Sequence, residues 1–204
     1  MTYSKTKLVA SAMVIGLAGT MTPAAAINLG GSAKQFRKVQ TSFIAERGPA
    51  LAPMGHVVFC MKNPGECRTP VLRRVARVDM TPNRLAALAD VNSRVNRSIA
   101  FRSDDASQVL RDQWQVAVKT GDCEDYALAK RRALIAQGWP ASALRVAVGR
   151  TRTSGEGHAV LVVKTNAGDF VLDNRTSRIQ PWTSADIDIS SIQSGNNPRY
   201  WSRT

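Results

Sequence analysis

The stretch that decides the fold is Gly121-Asp-Cys-Glu-Asp-Tyr-Ala127, in which one cysteine lies among three carboxylates. From Tyr126 to Gln137 apolar residues recur at helical spacing, and Gly138 with Pro140 ends the run, which predicts a helix beside the cysteine. A cysteine in the first turn of a helix lies near unpaired backbone N–H groups and the positive end of the helix dipole, and both stabilise a thiolate. The position therefore suits a nucleophile, although the neighbouring carboxylates oppose ionisation unless a positive group offsets them.

The first 26 of the 204 residues have the pattern of a secretory signal peptide. Lys5 and Lys7 give a positive start, an apolar run follows over 8–19, and the small residues at 23–26 form a cleavage site. The run is short for a membrane span, and no later stretch is apolar enough to cross a bilayer. We expect an exported chain with no transmembrane span after the leader is removed. The alternative is an uncleaved N-terminal anchor.

The charge of the chain is strongly positive. The formal net charge is +13, and the two leader lysines account for two of these charges, so +11 remains after export. A basic exported protein is expected to interact with anionic envelope surfaces or acidic substrates. Export argues against nucleic acid as a partner, and the arginines are scattered without interleaved aromatic residues. Most of them are interpreted as a solvated face.

The three cysteines are an odd number for an exported chain, so one is left unpaired. Cys60 and Cys67 bracket the turn signal Asn63-Pro-Gly65, which can bring their sulfur atoms together. A Cys60–Cys67 disulfide leaves Cys123 as a free thiol in an oxidising compartment. The alternatives are that Cys123 pairs with one of the others or is a buried small apolar residue.

The mature chain divides into an arm and a domain. Residues 27–80 are predicted to form a basic N-terminal arm, loosely attached over 27–50, with a short strand at Gly55–Cys60. Residues 81–204 are predicted to form one α+β domain, because helices precede antiparallel strands. Its predicted parts are a helix starting at Thr81-Pro82, a polar segment at 103–114, the cysteine helix, strands at 144–148, 159–163 and 170–173, and a loop-rich tail whose Tyr200 and Trp201 pack back on the body.

The sequence holds only two histidines, and His158 opens an apolar strand whose neighbour ends at Asp173. If the connecting loop has an even number of residues, the two side chains lie on one side of the sheet. A two-residue turn at Thr165-Asn166 puts them directly opposite, and one at Ala167-Gly168 offsets them by four residues, roughly 13 Å. Each also has a separate structural interpretation, as a strand histidine and a turn aspartate. His56 is the competing histidine.

These residues supply the parts of a Cys–His–Asp set. In such a set the cysteine attacks, the histidine accepts and returns the proton, and the aspartate orients the imidazole and stabilises its charged form. The combination, in an exported chain with an odd thiol, favours an enzyme over the separate structural interpretations of each residue.

Three blocks of the sequence resemble the motifs of the bacterial transglutaminase-like cysteine proteinases, a family of periplasmic proteases that release adhesins. The blocks are Gly121–Ala127, Gly157-His-Ala-Val-Leu161 and Val171-Leu-Asp-Asn174, and the resemblance spans roughly 81–182. It implies a papain/transglutaminase-like fold, with the nucleophile at the N-terminus of a helix packed on an antiparallel sheet. It also implies a periplasmic cysteine endopeptidase that cleaves an envelope or surface-adhesin protein and has an inner-membrane regulatory receptor.

The resemblance assigns roles to single residues of this chain. It implies a triad of Cys123 as nucleophile, His158 as base and Asp173 as orienting residue. It also implies a calcium ion held by Asp122 and Glu124, whose charge would offset the carboxylates beside the thiol. Asp125 is assigned to structure first and to the metal second. The arm at 27–80 does not map onto the family.

Alternatives remain for the oxyanion hole and for the reaction. The backbone N–H of Cys123 is a natural contributor to an oxyanion hole, with Gln113 and Trp114 as side-chain candidates. The same triad could serve a transglutaminase or a peptidoglycan-amide hydrolase, because an acyl-enzyme can pass to an amine or to water. The basic surface also fits a non-catalytic module that binds calcium or the envelope.

Overall fold

The computed structural model describes residues 41–68, 77–104 and 112–204. The predicted leader, the start of the arm, residues 69–76 of the arm and the middle of the polar segment at 103–114 lie outside these ranges. The helices of the described ranges are α1 (Met54–Lys62), α2 (Pro82–Ser98) and α3 (Cys123–Ala136). The strands are β1 (Pro49–Ala50), β2 (Ala100–Phe101), β3 (Thr120–Gly121), β4 (Leu144–Arg150), β5 (Gly157–Thr165), β6 (Gly168–Leu172), β7 (Gln180–Pro181), β8 (Asp188–Gln193) and β9 (Trp201–Arg203).

Seven of these strands form one antiparallel sheet in the order β1-β9-β8-β4-β5-β6-β7. Consecutive strands β4, β5 and β6 lie side by side at its centre, which confirms the three strands predicted from the sequence. A two-residue turn, Asn166-Ala167, joins β5 to β6, since Thr165 pairs with Gly168. Gly168 has a φ of 116°, a conformation that glycine adopts without strain.

Both faces of the sheet are buried, so the central strands are apolar at nearly every position. On one face, α3 packs on β5 and β4, and α2 packs on α3, in a cluster that includes alternate strand residues such as Leu161 and Val163. On the other face, Val160 and Val162 lie in a smaller cluster completed by residues of the N-terminal and C-terminal segments. This arrangement confirms the predicted α+β class, with the cysteine helix packed on an antiparallel sheet.

The start of α2 follows from local chemistry. Thr81 is the N-cap residue, and its hydroxyl oxygen accepts a hydrogen bond from the Arg84 N–H at 3.2 Å. Pro82 occupies the first helical position, where the missing N–H is not needed. After α2 ends, β2 pairs in parallel with β3 and brings the chain to Gly121, directly before α3. This short pair of strands holds the backbone that leads into the cysteine helix.

The strand predicted at Gly55–Cys60 is wrong, because these residues belong to α1. His56, Phe59 and Cys60 are buried at helical spacing, and a short apolar run does not by itself distinguish a strand from a helix. The part of the arm that the structure describes is also not loosely attached to the body. Its strand β1 pairs with β9 at the sheet edge, and Ile44 is buried in the second apolar cluster.

The cysteine pairing is confirmed. Cys60 and Cys67 form a disulfide with a Cα–Cα distance of 5.5 Å, and Cys123 is free. In the C-terminal tail, Trp201 packs into the body as predicted, whereas Tyr200 is 68% exposed. Within the described ranges, no helix combines the length and apolar composition needed to cross a membrane.

Candidate active site

Cys123 is the first residue of α3, and Asp122 is its N-cap residue in an extended conformation. The predicted helix therefore begins at the cysteine itself. Burial and the neighbouring Glu124 carboxyl group raise the pKa of the Cys123 thiol well above its ordinary range. The Sγ atom lies 3.3 Å from Glu124 Oε2 and donates its proton to that oxygen. In this state the thiol is held protonated.

His158 and Asp173 are in direct contact, with 3.0 Å between His158 Nε2 and Asp173 Oδ1. The β5–β6 register places Leu161 opposite Leu172, so the two side chains are offset diagonally by two residues. This register lies between the two turns considered from the sequence, and the predicted parity is confirmed. A diagonal pair is about 7 Å apart at the backbone, which a histidine and an aspartate can bridge.

Asp173 is held in its ionised form. Burial on its own would raise the pKa of this carboxyl group, but the contacts with His158 and the Arg175 backbone N–H, with the charge of Lys130, together outweigh burial and lower the pKa overall. The Arg175 backbone N–H contributes a second hydrogen bond to Oδ1 at 2.9 Å. A carboxylate only accepts hydrogen bonds, so His158 Nε2 carries the proton and Nδ1 is the free nitrogen.

The thiol lies near the start of β5. The backbone N–H of Ala159, the residue after His158, acts to lower the pKa of the Cys123 thiol, against the larger opposing effects of burial and Glu124. The pairing of β4 with β8 shifts register between Val148 and Gly149, and Gly149 pairs with His158. Such bulges increase the local strand twist and are frequent beside active sites. The structure thus brings Cys123 to the peptide that carries His158.

A cluster of three acidic residues lies beside the thiol. One carboxylate oxygen each from Asp104, Asp122 and Glu124 lies within 4.8 Å of the others. Asp122 Oδ2 accepts the Asp104 backbone N–H at 3.0 Å, while the buried Asp122 Oδ1 has no hydrogen-bond partner within the described ranges. Burial, together with the nearby Asp122, raises the pKa of Glu124 to about 10. Crowded carboxylates with an unpartnered oxygen fit a hard divalent cation such as calcium.

Asp125 lies outside this cluster. Its Oδ1 accepts the Gln115 backbone N–H at 2.7 Å, so it ties the segment before α3 to the helix. Burial raises the pKa of Asp125 to about 7, and the Gln115 hydrogen bond acts in the opposite direction. These contacts fit the structural assignment of Asp125, ahead of the metal.

Sequence reasoning did not include Asp104 in the metal set. The residue is 18 positions before Asp122, in a polar segment with no pattern that indicates a ligand. The competing His56 lies elsewhere, buried between the rings of Trp114 and Trp201. Trp114, an oxyanion-hole candidate, donates its indole N–H to Asp112 at 3.1 Å and packs in the core.

Comparison with known proteins agrees with this fold. The family model described as bacterial transglutaminase-like cysteine proteinase BTLCP matches residues 46–204. The expectation that the arm at 27–80 does not map onto the family is therefore wrong from residue 46 onward. Legionella pneumophila LapG aligns at 26% identity and a TM-score of 0.51, over 61% of this chain and 69% of that chain. A calcium-bound LapG structure aligns at 26% identity and a TM-score of 0.49, over 56% of this chain and 66% of that one.

No curated protein matches the chain. The family match covers well over half of the 204 residues and includes the free cysteine, the His158–Asp173 pair and the sheet that carries them. The predicted transglutaminase-like fold is thereby confirmed. This chain belongs to the bacterial transglutaminase-like cysteine proteinases, a family of cysteine peptidases.

Proposed function

We propose that this protein is a periplasmic cysteine endopeptidase that cleaves an envelope or surface-adhesin protein with Cys123, His158 and Asp173. The main support is the 3.0 Å contact between His158 and Asp173, beside the only free thiol of the chain. The basic charge after loss of the leader favours an acidic protein segment as substrate. An inner-membrane receptor that controls access to the site belongs to the same proposal.

The chemistry follows from the hydrogen bonds. Asp173 accepts the Nε2–H of His158, so Nδ1 takes the proton from the Cys123 thiol and the thiolate forms a bond to the peptide carbonyl carbon. The backbone N–H of Cys123, at the helix start, donates to the developing oxyanion. The imidazolium then protonates the leaving amine as the C–N bond breaks, which leaves a thioester on Cys123. Water, deprotonated by His158, hydrolyses the thioester and restores the thiol.

We also propose that Asp104, Asp122 and Glu124 hold a calcium ion, with Asp125 in a supporting structural role. A bound divalent cation supplies positive charge that offsets the carboxylates and favours the thiolate. Their clustered oxygens and the unpartnered Asp122 Oδ1 support this assignment. The relative LapG has been solved with calcium bound.

Removal of calcium is the test of this site. Excess EGTA is expected to lower both the melting temperature and the rate of substrate cleavage, and added calcium is expected to restore both. The double variant Asp104→Asn, Asp122→Asn should show neither response. If EGTA changes neither the melting temperature nor the activity of the wild type, the assignment of these carboxylates as calcium ligands is wrong.

The reaction is tested with Cys123→Ala beside wild type, each expressed with its own leader and compared at equal abundance. Proteomics of N-termini in the envelope fraction is expected to find new termini only with the wild type. Equal processing by both proteins would remove Cys123 from the mechanism. Isopeptide cross-links would indicate a transglutaminase instead, and released peptidoglycan fragments an amide hydrolase. No product of any kind would favour the non-catalytic module.

Export is tested on the same samples. Edman sequencing of the purified protein is expected to start at Ile27, in the periplasmic fraction. A chain that keeps its first 26 residues and sediments with membranes would support the alternative of an uncleaved anchor.

A further inference from the structure

A short segment at 112–117 contacts carboxylates around the start of α3, and the chemistry proposed above does not use it. Two of its backbone N–H groups donate to carboxylate oxygens at 2.7 Å: Gln113 to Asp104 Oδ2, and Gln115 to Asp125 Oδ1. Asp104 belongs to the acidic cluster that we assign to calcium, and Asp125 lies in the first turn of α3. The segment therefore holds one of the proposed calcium ligands directly.

Trp114 lies between these two donors and anchors the segment in the core. It is 6% exposed, and its ring packs edge-on against His56 of α1, with 5.4 Å between the ring centroids. Its indole N–H donates to Asp112 Oδ2 at 3.1 Å. Because the Gln113 and Gln115 N–H groups belong to the residues on either side of Trp114, the place of the indole ring determines where both donors lie.

Gly55 of α1 allows the indole to approach the helix closely. A Cβ atom at residue 55 would overlap Trp114 Cδ1, and it would come within 2.6 Å of Trp114 Nε1 and 2.5 Å of Asp112 Oδ2. An added methyl group in such tight packing must displace its neighbours. The surface of α1 at Gly55 is thus the surface on which the segment rests, and it belongs to a different element from the proposed calcium ligands.

The backbone of the segment is held in an unfavourable conformation. Ala117 has a φ of 61°, in the left-handed region that is unfavourable for a residue with a Cβ atom. Such conformations persist where the surrounding contacts determine them. Here these contacts are the packing of Trp114 on α1 and the hydrogen bonds to Asp104 and Asp125.

We propose that Trp114 is a positioning residue for the calcium site and that Gly55 fixes the place of its ring, and this inference rests on the calcium site proposed above. The indole, packed on Gly55, holds the Gln113 N–H where it hydrogen-bonds to Asp104. That bond orients the Asp104 carboxylate before the cation binds, so less conformational freedom is lost on binding. Trp114 therefore acts through Gln113 and Asp104, without touching the ion or a substrate.

Calcium affinity separates this role from a purely structural one. If the ring serves only the core, its alteration lowers the melting temperature of the calcium-free protein and leaves the affinity of the folded protein unchanged. If the ring positions Asp104, its alteration weakens calcium binding by the folded protein. Groups that orient metal ligands typically contribute about 10–100-fold to metal affinity.

The experiment is calorimetric titration of calcium into the calcium-free mature protein, together with the melting temperature in EGTA. The variants are Gly55→Ala, which leaves every residue of the segment unchanged, and Trp114→Phe. The control is Trp182→Phe, the same substitution in the second apolar cluster, where the indole N–H donates to Ser42 Oγ at 3.1 Å. We expect the calcium Kd to rise about tenfold in Trp114→Phe and about fivefold in Gly55→Ala. Trp182→Phe should bind calcium as the wild type does.

The double variant Gly55→Ala, Trp114→Phe tests whether Gly55 acts through the ring. The two effects on the Kd should then fall clearly short of their product, because both changes act on one group. A full product of the two effects would contradict this link.

The inference is overturned by a wild-type Kd in both Gly55→Ala and Trp114→Phe, or by an equal rise in Trp182→Phe. If the wild type itself binds no calcium, the proposed calcium site fails as well, so the two failures are distinguished. The titration needs no protein substrate, and failure of the proposed protease function is detected separately by Cys123→Ala.

Discussion

At the scale of single residues, Gly121 is tied to its position by the side chain of Asp125. A Cβ atom at residue 121 would overlap Asp125 Oδ2 and come within 2.9 Å of its Cβ and Cγ atoms. Asp125 cannot move away freely, because its Oδ1 accepts the Gln115 N–H. The glycine before the cysteine is therefore required by the close approach of a buried carboxyl group.

We predict that Gly121→Ala lowers the free energy of unfolding by about 2 kcal/mol or more, because the new methyl group displaces Asp125. The control is Gly65→Ala, where a Cβ atom meets nothing within 4 Å. It should change the free energy by about 0.5 kcal/mol or less. Urea denaturation of both variants measures the effect. Equal small effects in the two variants would show that Asp125 is not held in place.

At the scale of secondary structure, α1 is the element for which sequence reasoning gave the wrong structure. The helix is only nine residues long, and its partners Trp114 and Trp201 are distant in sequence. The helical burial pattern becomes visible only once those partners are in place. The same packing encloses His56, whose Nδ1 accepts the Trp201 indole N–H at 3.2 Å. An imidazolium would lose that contact.

We predict that burial of His56 makes the folded protein less stable at acidic pH. Burial, with a smaller effect from Arg131, lowers the pKa of His56 from 6.5 to about 4. The unfolded chain binds a proton in this interval that the folded protein does not, so stability decreases as the pH falls from 6.5 toward 4. Between about pH 7.5 and about pH 5 the loss due to His56 is about 2 kcal/mol.

The measurement is the free energy of unfolding of wild type and His56→Gln at both pH values. The wild type should lose about 2 kcal/mol more than the variant over this interval. His56→Gln changes the absolute stability as well, and only the difference between the two pH values is compared. Equal losses of unfolding free energy in the wild type and in His56→Gln would show that His56 is not the acid-sensitive group.

At the scale of the whole molecule, prediction succeeded where the signal was local. The central strands and the helix after Cys123 follow from apolar periodicity, and the disulfide follows from a short spacing around a turn. The strands at the edges of the sheet could not be predicted, because β1, β7 and β9 have only two or three residues each and β1 pairs with β9, which is distant in sequence.

In the candidate site, too, the features that could be predicted depend on local sequence, and the others depend on distant residues. The parity of His158 and Asp173 could be predicted, because it depends only on strand alternation. Their offset depends on which residues form the turn, and Asn166-Ala167 was not distinguished from its neighbours. Asp104 could not be assigned from the sequence, because the carboxylates that it meets, Asp122 and Glu124, lie on another element at the start of α3.

The most direct test of the account is the rate of Cys123 alkylation by iodoacetamide at neutral pH, with calcium in excess, in His158→Gln and His56→Gln. These variants remove each of the two histidines in turn. The account predicts that wild type and His56→Gln react faster than free cysteine. It also predicts that His158→Gln reacts at least about tenfold more slowly than the wild type. Equal rates in the two variants would contradict activation of Cys123 by His158.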